Sequence, residues 1–350
     1  LHLRILVVTV QVPFVRGGAE VHAEELRNAL IAAGHSAEIV AIPFKWYPPE
    51  RILDHMLACK LIDLSSVCGQ NIDRVIALKF PAYYVNHPNK VLWVLHQHRT
   101  AYELWDAPIS DMVDFENGRE VRDAIERADR AMLPKARLVF ANSLNVAKRM
   151  KQYCDVDAKP LYHPPRDAGL FHSKPAEDFV FMPSRLVEIK RQYLVIDALA
   201  ETKSPLTVAF CGTADHARYA EELKERAVKR NISDRIKWLG EISEPAKRDL
   251  YARCIAVVYP PVDEDLGYVT MEAMLSSKPV ITCSDSGGTL EFVKDGESGL
   301  VTEPTAAGIA AALDQIWNNR KRAAAMGRRG HEIYREMRIS WDNVVEQLLQ

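Results

Sequence analysis

Two glutamates eight positions apart, Glu264 and Glu272, bracket a glycine in the run Glu264-Asp265-Leu266-Gly267-Tyr268-Val269-Thr270-Met271-Glu272. The run follows an apolar stretch at 256–259 and the loop Pro260-Pro261-Val262-Asp263. Glu264 is expected in the loop, and Glu272 a little over one turn into the helix that begins at Gly267. Backbone N–H groups near Gly267, Tyr268 and Val269 lack helical partners at such a start and favour an anion such as phosphate. A carboxylate accepts two hydrogen bonds in a fork, so each glutamate suits the vicinal hydroxyls of a sugar or a ribose. The same two carboxylates would also suit acid/base hydrolysis. An acidic helix start favoured by the helix dipole is the plain alternative.

Other residues lie at the ends of short apolar runs. Arg185 leaves the run 179–183, and Lys190 is expected to open the helix after it. A forked guanidinium and a compact ammonium suit a diphosphate, or are two surface cations. Gly17-Gly18-Ala19-Glu20 follows the first run and opens a helix, where two glycines allow close backbone approach. It is neither GxGxxG nor a P-loop, and a plain strand-to-helix turn is an equal reading. His96-Gln97-His98-Arg99 ends the run 91–95. His-x-His can ligate a metal, but no third ligand has suitable spacing, so an active-site hydrogen-bonding role or a structural one is expected. Ser286-Gly287-Gly288-Thr289-Leu290-Glu291 resembles another anion-friendly helix start, and Asp295-Gly296-Glu297-Ser298-Gly299 is a tight-turn signal.

These candidates need strand ends to hold them. Apolar runs at 3–9, 37–42, 74–78, 91–95 and 137–141 alternate with helical stretches such as 19–33, which Gly34 stops. Asn142 or Ser143 can cap the helix after the last run. Proline and glycine around 163–169 mark a linker. Runs at 179–183, 206–211, 236–239, 256–259 and 279–283 then repeat the alternation. Such alternation signals doubly wound parallel sheets, whose strand ends are where ligands bind. Residues 306–350 read as helices only, interrupted near Gly327 and Gly330.

Composition sets the outer limits. A chain of 350 residues, 48% hydrophobic and 26% charged, suits about two soluble domains. No apolar run approaches the roughly 20 residues of a membrane span. A net charge of −2 argues against a dedicated nucleic-acid binder. The six cysteines contain no CxxC and read as buried free thiols of a reducing compartment. The N-terminus lacks a signal-peptide layout, so a cytoplasmic location is expected. Arg320, Lys321, Arg322, Arg328, Arg329, Arg335 and Arg338 make the tail locally basic, as a solvated face or a contact for anionic lipid at the inner membrane surface.

The order Gly17-Gly18-Ala19-Glu20, Arg185…Lys190 and Glu264-x7-Glu272 resembles that of retaining glycosyltransferase family 4, the group 1 glycosyltransferases. Ala32-Ala33-Gly34-His35, Ser143, Leu239-Gly240 and Ser340-Trp341 agree, so the resemblance covers essentially the whole chain. It implies the GT-B fold: two Rossmann-like α/β domains, doubly wound and facing a central cleft, with the last helix crossing back to the N-terminal domain. The expected domains are 1–165 for the acceptor, 166–335 for the nucleotide sugar, and 336–350 as that helix. By the same resemblance Gly17 and Gly18 face the donor phosphates and sugar, and Arg185 and Lys190 bind the diphosphate. Glu264 touches the sugar, Glu272 the ribose, and the segment from Leu239 the base, while His96 lies near the reacting side. Glu264-Asp265-Leu266-Gly267 departs from the family's Glu-Gly-Phe-Gly, and Asp265 leaves the sugar open. His98 competes with His96.

The implied activity is metal-independent, retaining transfer of a hexose from a UDP- or GDP-linked donor to a sugar or lipid-linked saccharide, in polysaccharide or glycolipid assembly, with no cofactor. Trp46, Tyr47, Arg99 and Tyr102 are the candidate acceptor surface. The rivals are a nucleotide-sugar epimerase or hydrolase, a dinucleotide-dependent oxidoreductase, which lacks its GxGxxG, and a sugar-nucleotide sensor.

Overall fold

The β-branched run that opens the chain forms strand β1 (Arg4–Gln11), buried from Ile5 to Val10. Burial on both faces is what an interior parallel strand requires. The computed structural model describes residues 2–15, 17–107, 110 and 112–350. After β1 come α1 (Gly18–Ala32), β2 (Ser36–Pro43), α2 (Glu50–Leu61), the small hairpin β3 (Ser66–Val67) and β4 (Gln70–Asn71), then β5 (Arg74–Ala77) and β6 (Lys90–Val94). Next are α3 (Gly118–Met132), β7 (Leu138–Ala141), α4 (Leu144–Cys154) and β8 (Lys159–Pro160). The main sheet has the order β2-β1-β5-β6-β7-β8, all parallel. Ser143 caps α4, its hydroxyl accepting from the Val146 N–H at 3.1 Å.

A second sheet is built from β9 (Phe179–Pro183), β10 (Thr207–Cys211), β11 (Ile236–Trp238), β12 (Ala256–Val258), β13 (Val280–Cys283) and β14 (Gly299–Thr302). Its order is β11-β10-β9-β12-β13-β14, again parallel. Helices α5 (Gln192–Glu201), α6 (Ala217–Lys229), α7 (Glu244–Arg253), α8 (Tyr268–Leu275), α9 (Ala306–Asn318) and α10 (Arg320–Glu336) belong with it. The last helix, α11 (Trp341–Leu349), packs on α1. Two compact units result, Leu1–Arg166 with Ser340–Gln350, and Asp167–Ile339. Each has the Rossmann-like α/β architecture of a GT-B half.

Three expectations are corrected. Gly327 and Gly330 do not interrupt the tail: both lie inside α10, on its buried side. A Cβ at Gly327 would collide with the Ser277 carbonyl, so this glycine serves close approach, not a helix end. The breaks fall instead at Asn319 and at 337–340. Within the 163–169 stretch, His163 is core, 1% exposed. Cys68 is exposed, while the other five cysteines are buried free thiols. Among the described residues, no helix is long and apolar enough to cross a membrane.

Candidate functional site

In the second unit, the ends of β9 and β12 bring Lys190 and Glu264 together. Lys190 does not open α5: it ends a single 3-10 turn, Glu188–Lys190, before that helix. The turn is tied to the acidic loop by the Val262 N–H, which donates to the Ile189 carbonyl at 2.8 Å. The Lys190 ammonium donates to Oε2 of Glu264 and, at 3.0 Å, to the Tyr259 hydroxyl. Tyr259 in turn donates to Oε2 at 2.7 Å. Burial pushes the Glu264 carboxyl up, but the Lys190 charge and these two donors outweigh it and hold the group below its ordinary value.

The glycine loops shape the surroundings. Gly267 caps α8 with φ +83°, a conformation that favours glycine. A Cβ there would also come within 3.1 Å of the Thr289 hydroxyl. The Ser286-Gly287-Gly288 loop lies alongside, and the Gly288 N–H donates to the Glu264 carbonyl at 2.7 Å. That N–H supports the acidic loop and is not available to an anion. Arg191 forks onto Asp285 at 2.7 and 2.6 Å, tying in the loop after β13.

Glu272, the second glutamate, is 8% exposed. It accepts from the Tyr251 hydroxyl at 2.7 Å and from Lys247 at 3.2 Å. Burial raises its carboxyl above the ordinary value, with Lys247 and Tyr251 only partly opposing this. Arg185 is half exposed and ion-paired with Asp215 at 2.7 Å. Leu239 follows β11, its N–H held by the Phe210 carbonyl. Tyr268 and Val269 form the first turn of α8.

In the first unit, Gly17 precedes α1 and Gly18 begins it, but the Gly17 N–H is already held by the Glu20 carboxylate at 2.7 Å. Lys79, just past β5, lies 3.6 Å from the same carboxylate. His96 is partly buried, with Nδ1 donating to the Gln97 carbonyl at 2.7 Å. The His98 ring packs on Phe80, centroids 5.1 Å apart, and burial and His96 lower its pKa to about 4. His98 thus packs against the aromatic core at Phe80, and both histidines are partly buried. Trp46 and Tyr47 are exposed and meet edge to face at 5.3 Å. Tyr102 is a correction: it is 4% exposed and donates to the buried Asp129 at 2.7 Å, so it belongs to the core. Arg99 is paired with Glu103 at 2.6 Å. Among the described residues, no group of three or more His, Cys, Asp and Glu could hold a metal ion.

Residues 171–333 match the family described as glycosyl transferases group 1. This part of the chain is similar to the group 1 glycosyl transferases. The chain is 32% identical over 121 residues to the alpha-1,3/1,6-mannosyltransferase ALG2 of Dictyostelium discoideum, covering 35% of this chain and 29% of that protein. It is 32% identical over 149 residues to the lipopolysaccharide core biosynthesis mannosyltransferase LpcC of Rhizobium leguminosarum bv. viciae, covering 40% and 42%. The chain thus matches less than half the length of either relative. The structure of Anabaena Alr3699/HepE in complex with UDP and glucose is similar in fold, with a TM-score of 0.71 at 19% identity, covering 99% of this chain and 98% of that one. The two Rossmann-like units with their returning helix have the GT-B fold.

Within the matched residues, the sequence reading passed over Tyr259, Tyr251 and Lys247. Both tyrosines end or border apolar runs and read as core, which by burial they are. Lys247 sits in a charged helix and reads as solvent-facing. Only the strand-end position of Tyr259 offered a signal.

Proposed function

We propose that the chain is a retaining glycosyltransferase that moves a hexose from a nucleoside-diphosphate sugar to a sugar or lipid-linked saccharide, in polysaccharide or glycolipid assembly. What carries the reading is the Lys190–Glu264 pair beside the helix start at Gly267, in a segment that matches the group 1 glycosyl transferases. Lys190 and Arg185 bind the diphosphate, with N–H groups from Gly267 to Val269 adding fixed partial charge. Glu264 takes the sugar hydroxyls, Glu272 the ribose, and the segment at Leu239 the base. Gly17, Gly18 and His96 serve the transfer step, and Trp46 and Tyr47 the acceptor.

The two curated relatives are mannosyltransferases, so mannose is the sugar to try first. Cations and helix N–H groups carry the leaving diphosphate's charge, so turnover should survive EDTA. A lipid-linked acceptor would bring the chain to an anionic membrane face, with tail cations such as Arg335 and Arg338 as its contacts.

A thermal-shift screen of UDP, GDP, UDP-glucose and GDP-mannose tests the donor site. A ligand at 100 times its dissociation constant should stabilise by about 2.7 kcal/mol. No shift with any of them removes the reading. Product analysis with and without a saccharide acceptor separates transfer from epimerisation or hydrolysis.

A further inference from the structure

Tyr259 ends an apolar strand and is 3% exposed, yet its hydroxyl is fully engaged in polar contacts. It donates to Oε2 of Glu264 at 2.7 Å and accepts from Lys190 Nζ at 3.0 Å. Lys190 donates to the same carboxylate oxygen, so ammonium, phenol and carboxylate close a triangle. The ring also faces the ammonium, with Nζ 5.4 Å from its centroid. We infer that Tyr259 is a positioning residue for Glu264, holding its carboxylate in place while Lys190 is shared with an incoming diphosphate. The inference rests on the donor-site reading above.

The physical need follows from Lys190 having two tasks. An ammonium is a compact charge with three donors on a flexible stem, and it turns toward phosphate oxygens when a diphosphate arrives. Glu264, whose side chain is 15% exposed, then keeps less of its charge partner. A poorly solvated carboxylate in that position tends to take up a proton or rotate away. Tyr259 prevents both. Its ring is fixed by the core around it, so its hydroxyl stays where Oε2 needs a donor. Burial, and next the Glu264 charge, push its phenol well above the ordinary range, so it remains a donor at any working pH. With Oε2 pinned, the plane of the carboxylate is set for the sugar hydroxyls.

Tyr259→Phe deletes the hydroxyl and keeps the ring, and Glu264→Gln is its companion. UDP and GDP are the calorimetric probes, and diphosphate release from UDP-glucose or GDP-mannose reads turnover. Tyr259→Phe should bind nucleotide within about twofold of the native chain while kcat falls about tenfold or more, the effect of losing one hydrogen bond to a charged group. The acid limb of its pH–rate profile should move to higher pH, because ionised Glu264 has lost a donor. Unchanged kcat with an unmoved acid limb overturns the inference. So does a parallel loss of nucleotide binding and turnover, which marks a packing role. Full turnover in Glu264→Gln instead overturns the assignment of Glu264, and the inference falls with it. Loss in Glu264→Gln with none in Tyr259→Phe defeats the inference alone.

Discussion

Tyr251 donates its hydroxyl to Oε2 of Glu272 at 2.7 Å, and both side chains are buried. The carboxylate assigned to the ribose is therefore oriented by the core of its own domain before any ligand arrives. Truncation and neutralisation should separate. Glu272→Ala leaves the Tyr251 hydroxyl only its long contact to the Val269 carbonyl at 3.5 Å, at a cost of about 1–3 kcal/mol in stability. Glu272→Gln keeps an acceptor for Tyr251 but removes the charge, so nucleotide affinity should fall about tenfold or more with a smaller loss of Tm. Calorimetry and melting curves on both variants check this. Native affinity in Glu272→Gln would take the glutamate out of the donor site.

The two cations assigned to the diphosphate should differ in their effect on stability. Arg185 and Asp215 are 52% and 42% exposed, a pairing worth about 0–1 kcal/mol. Lys190 and Glu264 are 14% and 15% exposed. Removing one partner of such a pair leaves a poorly solvated charge, costing of order 3 kcal/mol. Lys190→Met should thus lower Tm clearly and Arg185→Ala barely, while both weaken diphosphate binding. Equal Tm losses would show that Arg185 has a structural role its exposure hides.

Sequence legibility followed burial. Strands such as β9 (Phe179–Pro183) announce themselves because a parallel strand covered on both faces must be apolar throughout. The four-residue β14 did not, since it starts at Gly299 inside what reads as a turn. Gly327 read as a break because a glycine's need for close approach cannot be told from its use as a helix end without the neighbouring Ser277 carbonyl. Glu264 and Lys190 were legible from their places after strands. Their link through Tyr259 was not, because a buried tyrosine shows its polar partner only in three dimensions. His22 and His163 meet across 141 positions of chain, with no local signal at either.

That histidine pair predicts a pH dependence of stability. His163 Nδ1 donates to the Pro164 carbonyl at 3.3 Å, so its Nε2 accepts from His22 Nδ1 at 2.8 Å, and both rings are neutral. Trp93 and Trp341 enclose them. Burial lowers the His163 pKa to about 4, and burial with His163 lowers that of His22 well below 6.5. Unfolded histidines take protons as pH falls through about 6.5, before the folded ones do. The stabilisation is therefore full above that pH and lost as pH drops toward 4, by about 3 kcal/mol for His163. Asp129 opposes this lower down: burial raises it to about 6, so it regains stability as it protonates. Two histidines outweigh one carboxyl, so the net loss continues below pH 6.5 and should be steepest between about pH 6 and 5. Urea midpoints followed by tryptophan fluorescence should fall across that interval, and less steeply in His163→Gln. Identical slopes would assign the acid sensitivity elsewhere.

The remaining prediction is stereochemical: the sugar should keep its anomeric configuration. Double displacement needs a carboxylate nucleophile about 5 Å from a second carboxyl group. Glu264 is engaged by Lys190 and Tyr259, and Glu272 by Tyr251 and Lys247, so both carboxylates are committed to donors on their own domain. Neither is positioned as an unencumbered nucleophile. The route left is front-face attack, in which the acceptor hydroxyl approaches from the diphosphate's side and a phosphate oxygen takes its proton. The short-lived oxocarbenium–diphosphate ion pair then needs a preorganised positive environment, supplied by Lys190, Arg185 and the N–H groups after Gly267, an effect worth several kcal/mol. In this scheme His96 orients the sugar and is not an obligatory base. His96→Ala should lower kcat strongly and leave nucleotide binding nearly intact. Proton NMR of the first-formed product reads the configuration directly, and a β-linked product from an α-linked donor would overturn front-face transfer along with the roles given to both glutamates.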